Sequence, residues 1–438
     1  MIFRKSFSAE SPVDIFSRMI NSGSDCFLLE SASGPSRSAR YSFIGASPEQ
    51  KAVYSGGRIS FDGSSRKERI DAFLKENMRR RKPSLTVPYP YTGGFVGYFS
   101  YDTVRSFEQL PDRHGPSGFP DAELGLFTDG FICDHIGGGS YYFSWGDDRE
   151  RELLSADRAE QEAAVLRARP EIPKSRYLAS VEKAKEYITE GDIFQVVLSR
   201  RLSLSGTRGM LPFYTALKAI NPSPYMYYVK FGDREVIGSS PETLVRVEGR
   251  DVITYPIAGS RPVTGNIARD RELETELLAD QKERAEHNML VDLARNDVGR
   301  VSGFGTVSVP EYMRVEKYSH VQHIVSRVEG KLARGRTAVD ALFSVFPAGT
   351  VSGAPKIRAM EIIDELESSR RGPYAGAVGY CSFNGSLDSA ISIRTLFKKG
   401  DSAFLQAGGG IVHDSVPENE FAETESKLGA LLAVAGVL

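Results

Sequence analysis

Residues 175–204 read SRYLASVEKAKEYITEGDIFQVVLSRRLSL, and they decide the fold class. The first half repeats its apolar residues with a helical period and closes on Gly191, the residue that most easily ends a helix. The second half alternates as a strand does, with Phe194, Val196 and Leu198 on one face and Gln195 on the other. A helix running directly into a strand predicts mixed architecture, and the same mixture recurs on both sides.

Towards the C-terminus, YPIAGSRPVTG (255–265) leads into a helical stretch that restarts near Asp280. From Pro417 onward the pattern predicts a helix with proline in its first turn. Towards the N-terminus, GGFVGYFSYD (93–102) reads as a strand, and HIGGGSYYFSW (135–145) as a hairpin turning on its three glycines. Residues 148–175 are dense in charge and end on Pro170 and Pro173. They predict an exposed helix and linker between an N-terminal region, 1–160, and a second region, 175–438. The expected fold class is α+β, mixed.

Composition narrows the function. The chain has 438 residues, with 55 basic against 57 acidic side chains, so it lacks the basic excess of a nucleic-acid binder. Cys26, Cys133 and Cys381 lie far apart and match no metal or redox spacing, which fits a reducing cytoplasm. The N-terminal MIFRKSFSAESP has no signal-peptide core. The longest apolar run, LGALLAVAGVL (428–438), is too short to span a bilayer and predicts a docked core helix.

Chemistry-bearing residues collect in the second region. Glu283 and Glu286 in KERAEH, and Glu420 and Glu423 in ENEFAETESK, each put two acids on one helix face. Two such faces brought together would suit a hard cation such as Mg²⁺, which takes oxygen ligands. The alternatives are plainer: Asp280 and Glu283 also form a capping-box pattern, and Glu423 with Lys427 an ordinary i, i+4 ion pair. QAGGGIV (406–412) sets three glycines after a strand, as a tight turn or as backbone open to an anion. Arg394, in SAISIRTLF, can grip a carboxylate or face solvent. His323, among apolar neighbours, is catalytic or simply a hydrogen-bonded core residue. FPAGTVSGAPKIRAMEII (346–363) joins two helices through glycines without forming a phosphate-binding P-loop. Together these features suggest a Mg²⁺ enzyme acting on a small carboxylated substrate.

Ten stretches in order, from GDIFQVVLSRR through NPSPYMYY, IGSSPE, YPIAGSRP, EHNMLVDLARND, YSHVQHIVSRV, GTVSGAPKIRAM, RGPYAGAVGY and LDSAISIRT to LQAGGGIVHDSVPENEFAET, resemble the chorismate-binding enzymes. They span residues 191–427, with weaker similarity in LLES and RYSFIGASPE, and within the family they look most like anthranilate synthase large subunits. The resemblance implies two intertwined regions of antiparallel-rich sheets with helices outside and a cleft between. It implies that ammonia attacks chorismate with loss of the 4-hydroxyl, and that pyruvate is then eliminated to give anthranilate.

Carried over residue by residue, the resemblance makes Glu286 and Glu423 the Mg²⁺ carboxylates, with Glu283 and Glu420 behind them. Arg394 and Tyr374 would hold the enolpyruvyl carboxylate; Lys427 and the backbone of Gly408, Gly409 and Gly410 would hold the ring carboxylate. Glu242 would be the general acid and His323 the residue for pyruvate elimination. Thr350, Gly259 and Ser260 would line the pocket. Gln195 stands where water-using relatives carry a lysine, and favours ammonia. Ala258 stands where many aminodeoxychorismate synthases, the alternative activity, carry a nucleophilic lysine. A non-catalytic tryptophan-sensing homologue is the further alternative. No cysteine sits in a glutaminase-like turn, so the expected ammonia source is a separate glutamine amidotransferase subunit in a hetero-oligomer, or else free ammonium. Leu29, Glu30 and Ser31, with Pro222, Tyr225 and Met226, resemble an inhibitory tryptophan pocket.

Overall fold

The computed structural model describes residues 2–31, 40–79, 88–161, 166–206, 209–318 and 321–436. Antiparallel pairing builds two twelve-stranded sheets, and each draws strands from both halves of the chain. In the first, Cys26–Glu30 lies beside Tyr225–Phe231, with Glu30 opposite Met226. That sheet continues through Arg234–Ser240 and Thr395–Lys399 to Ser402–Ile411 and Gln195–Ser205. In the second, Gly94–Phe99 lies beside Ala377–Ser382, with Tyr98 opposite Val378. The fold is therefore α+β with the two halves interleaved, as the family resemblance implies.

The sheets face one another across one apolar core. Phe27, Phe231 and Phe397 enter it from the first sheet, and Phe95, Val245 and Val378 from the second. Each such side chain contributes roughly 1.5–3 kcal/mol on burial. The outer face of the first sheet is covered by Pro12–Asn21, Leu211–Ile220 and Pro417–Val434, through Phe16, Tyr214 and Leu428 among others. The C-terminal run does dock as core: Leu428, Leu431 and Ala435 are buried, while its last two residues lie outside the described set. Helix Lys174–Thr189 packs Tyr177, Val181 and Ala184 on Val196, Leu198 and Ile411.

Two local expectations change. Phe194 does not share a buried face with Val196 and Leu198; it lies just ahead of the strand and is 71% exposed. Ile193 takes the buried place, and the Phe194 N–H donates to the Ala354 carbonyl at 2.8 Å. The charged stretch 148–175 is not one exposed helix. Among the described residues of this stretch only Glu150–Leu153 is helical before Lys174, and Arg167–Pro170 adds an edge strand to Gln195–Ser205. Proline is tolerated at such an edge because no ladder hydrogen bond is lost. Residues 162–165 of that stretch lie outside the described set. Among the described residues no helix is long and apolar enough to cross a membrane.

Candidate active site

The glycine triplet lies on strand Ser402–Ile411 and not in a turn. Its pairing with Thr395–Lys399 ends at Leu405, so Gly408–Gly410 is paired only on the Gln195–Ser205 side among the described residues. The other edge carries no neighbouring strand there, and its Gly408 carbonyl accepts from Lys427 at 2.8 Å. A Cβ on Gly408 would lie 3.1 Å from the Tyr374 hydroxyl, one on Gly409 3.1 Å from Glu420 Oε2, and one on Gly410 2.7 Å from Gln195 Nε2. Side chains alternate along a strand, so Tyr374 and Gln195 wall the face shared by Gly408 and Gly410, while Glu420 lies against Gly409 on the other face.

The two acidic pairs reach this strand from opposite sides. Asp280 caps helix Gln281–Gly299, accepting from the Lys282 and Glu283 N–H groups at 3.0 and 3.2 Å. Glu283 then points to strand Ile257–Pro262, where it accepts from Arg261 at 3.3 Å and lies beside Gly259. Glu286 accepts from Gln195 Nε2 at 2.8 Å, and its carboxyl is pushed upward, first by burial and then by Glu283 and Glu423. Glu420 is likewise raised, by burial and then by Glu423, and its Oε2 is buried without a hydrogen-bond partner among the described residues. Glu423 pairs with Lys427 at 2.6 Å.

At the far end sits Glu242. Burial pushes its carboxyl up to about 7, while the Thr350 hydroxyl, donating at 2.8 Å, and nearby Lys427 hold it down. A carboxyl titrating near neutrality suits general acid work. His323 lies next to Gly259, with Nδ1 2.7 Å from the Gly259 carbonyl. A carbonyl only accepts, so Nδ1 carries the proton and the neutral ring presents Nε2 as an acceptor. Burial, then Arg394 and Lys427, lower the pKa of this ring, and Tyr318 packs edge-on at 5.7 Å.

The cations lie between these groups. Arg394 occupies left-handed backbone at φ 52°, just before Thr395–Lys399, and donates to the Lys427 carbonyl at 2.7 Å. It forms no ion pair among the described residues, and burial pushes its pKa down. Lys427 donates to the Gly408 carbonyl at 2.8 Å. The structure thus brings Glu242, Thr350, His323, Tyr374, Arg394, Lys427, Gln195 and the four acids around one glycine-lined cleft. Ser260 is exposed on Ile257–Pro262, and Ala258 beside it is buried.

Among the described residues no three acid, histidine or cysteine side chains converge closely enough to enclose a metal ion by themselves. The donors nevertheless fit Mg²⁺: four carboxylates, of which Glu286 and Glu420 are raised first by burial and then by neighbouring acids, and a buried Glu420 oxygen without a hydrogen-bond partner among the described residues. Mg²⁺ keeps waters and substrate oxygens and needs only one or two protein carboxylates.

A second cavity, about 100 Å³, opens between the sheets. Leu29, Glu30, Ser31, Tyr225 and Met226 line it together with Pro224, whereas Pro222 does not. The Ser31 hydroxyl is buried without a partner among the described residues. Glu30 is already engaged by Lys218 at 2.8 and 3.0 Å and by the Tyr214 hydroxyl.

Sequence reading missed Arg371 and Glu367. Both are buried beneath the cleft, and Arg371 lies 5.6 Å from the Tyr374 ring centre. The available signal was position: Arg371 lies three residues before Tyr374 in RGPYAGAVGY and four after Glu367.

Residues 13–433 match the family model described as chorismate binding enzyme. Anthranilate synthase component 1 of Methanothermobacter thermautotrophicus is 46% identical over 435 residues, covering 97% of this chain and 92% of that protein. The component 1 protein of Thermus thermophilus is 43% identical, covering 98% and 96%. The crystal structure of anthranilate synthase component I from Streptococcus pneumoniae superposes with a TM-score of 0.82 at 37% identity, covering 92% and 93%. The menaquinone-specific isochorismate synthase of Escherichia coli shares the fold, with a TM-score of 0.78 at 20% identity over 99% of this chain and 94% of that one.

Proposed function

The chain belongs to the chorismate-binding enzyme family, and from that premise we propose that it forms anthranilate and pyruvate from chorismate and ammonia. One observation carries this reading: a carboxyl that titrates at about 7, Glu242, shares a cleft with Arg394, a cation that has no acidic partner among the described residues. An enclosed guanidinium without an anion is costly until a carboxylate arrives. Chorismate brings two.

Arg394 and the Tyr374 hydroxyl receive the enolpyruvyl carboxylate. Lys427 and the backbone at Gly408–Gly410 receive the ring carboxylate. Gln195 donates through Nε2 to Glu286, which leaves its carbonyl oxygen to accept from ammonia. A neutral amide cannot deprotonate water, so ammonia is the better nucleophile here. As its nitrogen bonds to ring carbon 2, the proton on Glu242 passes to the 4-oxygen and water departs. His323 Nε2 then takes the ring proton as pyruvate leaves and the ring becomes aromatic. Mg²⁺, held by Glu286 and Glu423 with Glu283 and Glu420 behind them, supplies Lewis-acid polarisation of the substrate carboxylate when bound.

Ammonia comes from a glutaminase on another chain. All three thiols of this one are buried, and burial pushes Cys26 and Cys381 up to about 12, which fits a chain with no nucleophilic cysteine. The second cavity takes tryptophan as an inhibitor. Its Ser31 hydroxyl has no hydrogen-bond partner among the described residues, so Ser31 rather than Glu30 is the better contact for the amino-acid head.

The test is turnover by the purified chain alone, with chorismate and Mg²⁺. High ammonium should yield anthranilate, and glutamine in its place should yield none. Aminodeoxychorismate without pyruvate would support the alternative activity. No turnover would support a silent sensor.

A further inference from the structure

We propose that Arg371 and Glu367 are positioning residues: one buried ion pair fixes the turn carrying Thr350, the strand behind the glycine triplet and the Tyr374 ring in a single arrangement. Arg371 is 2% exposed and Glu367 8%. The guanidinium grips the carboxylate bidentately, Nε to Oε2 at 2.9 Å and Nη2 to Oε1 at 2.6 Å. Its remaining donors reach the Val351 carbonyl at 2.6 Å and the Val197 carbonyl at 2.7 Å. Glu367 Oε1 also accepts from the Ser199 N–H at 2.8 Å and the Ser199 hydroxyl at 2.7 Å.

These anchors are the immediate neighbours of groups in the cleft. Val197 pairs with Gly410 and Ser199 with Gly408, so the pair holds the strand beside the glycine triplet. Val351 follows Thr350, so fixing its carbonyl fixes where the Thr350 hydroxyl meets Glu242. The guanidinium lies between the Tyr101 and Tyr374 rings, 4.8 and 5.6 Å from their centres. A rigid planar fork can serve three elements at once; a lysine cannot. The pair also serves stability, since apolar side chains in its place would leave the Val197 and Val351 carbonyls and the Ser199 N–H unpaired, so its positioning role is read from kcat and from Glu242 and not from the midpoint.

The inference rests on reading Glu242 as the acid, so the test has two readouts. Three variants are compared with the unmodified chain: Arg371→Lys, the double change Glu367→Leu with Arg371→Met, and Arg234→Lys. The last alters a half-buried bidentate pair with Glu123, away from the cleft. The first readout is kcat and KM for chorismate with ammonium, beside the thermal midpoint. The second is the titration of Glu242 itself, followed by infrared difference against Glu242→Gln in each background. Arg371→Lys and the double variant should each lose kcat by roughly 10–100-fold, the usual scale for small misplacements in an active site. The double variant should also lower the thermal midpoint, because it leaves the Val197 and Val351 carbonyls and the Ser199 N–H buried without these partners, so kcat and the Glu242 titration are read on protein that is still folded. In both, Glu242 should titrate above its value in the unmodified chain, because the Thr350 hydroxyl that favours its charged form has drifted. Arg234→Lys should lower the midpoint with kcat and the Glu242 titration unchanged. A folded double variant with unaltered kcat and Glu242 titration overturns the proposal. If the unmodified chain makes no anthranilate, the functional reading fails, and the Glu242 titration still decides the role of the pair.

Discussion

Replacing Thr350 with valine changes little volume but removes the hydroxyl that donates to Glu242 Oε1 at 2.8 Å. A hydrogen bond to a charged group contributes roughly 1.5–3 kcal/mol, and its loss here disfavours only the charged carboxylate. Even the lower figure is about one pKa unit. Glu242 should therefore move from about 7 to roughly 8. General acid catalysis needs the protonated form, so activity falls as pH rises through this value. At pH 8 the protonated fraction is roughly one tenth in the unmodified chain and roughly one half in the variant. Anthranilate fluorescence measures this as kcat/KM for chorismate, which reports the free enzyme, from pH 6 to 9 with free ammonia held constant and each profile normalised to its own plateau. Thr350→Val should lower the plateau yet retain a larger share of it at pH 8. A descending limb that stays in place, or moves to lower pH, would refute either the donation from Thr350 or the role of Glu242.

Gly410→Ala should fold normally but lose about tenfold or more in kcat/KM, because its Cβ would sit 2.7 Å from Gln195 Nε2 and push that amide off Glu286; thermal midpoint and steady-state kinetics check both halves. Glu423→Gln should weaken Mg²⁺ binding by about tenfold to a hundredfold without unfolding the chain, read as a loss of the Mg²⁺-induced rise in melting temperature. Ser31→Ala should weaken tryptophan inhibition while leaving turnover without tryptophan intact; an unchanged inhibition curve would remove Ser31 from that site.

Much of this was legible in the sequence because it depends on local spacing. The helix and strand at 175–204, the restart at Asp280 and the hairpin at 135–145 follow from periodicity and capping, which neighbours in the chain largely determine. The acidic pairs were visible as i, i+3 spacing. That they share one site was expected only from the family resemblance and not from spacing, since the two helices are brought together by sheet pairings far apart in sequence. Phe194 misled because alternation was read one residue beyond the true start of the strand. The stretch 148–175 misled because charge density signals exposure but not helix, and Arg167–Pro170 found a partner strand instead. Arg371 and Glu367 were missed because buried charge has no periodic signature. Their importance lies in which carbonyls they reach, and only the folded chain shows that.

The most direct measurement is isotopic. The purified chain is incubated with chorismate, Mg²⁺ and ¹⁵N-ammonium, and the products are followed by NMR. The account predicts one pyruvate per chorismate consumed and an aromatic product with ¹⁵N on the carbon next to the carboxylate. A labelled amine at carbon 4 with no pyruvate, or an unlabelled hydroxylated product, would contradict it.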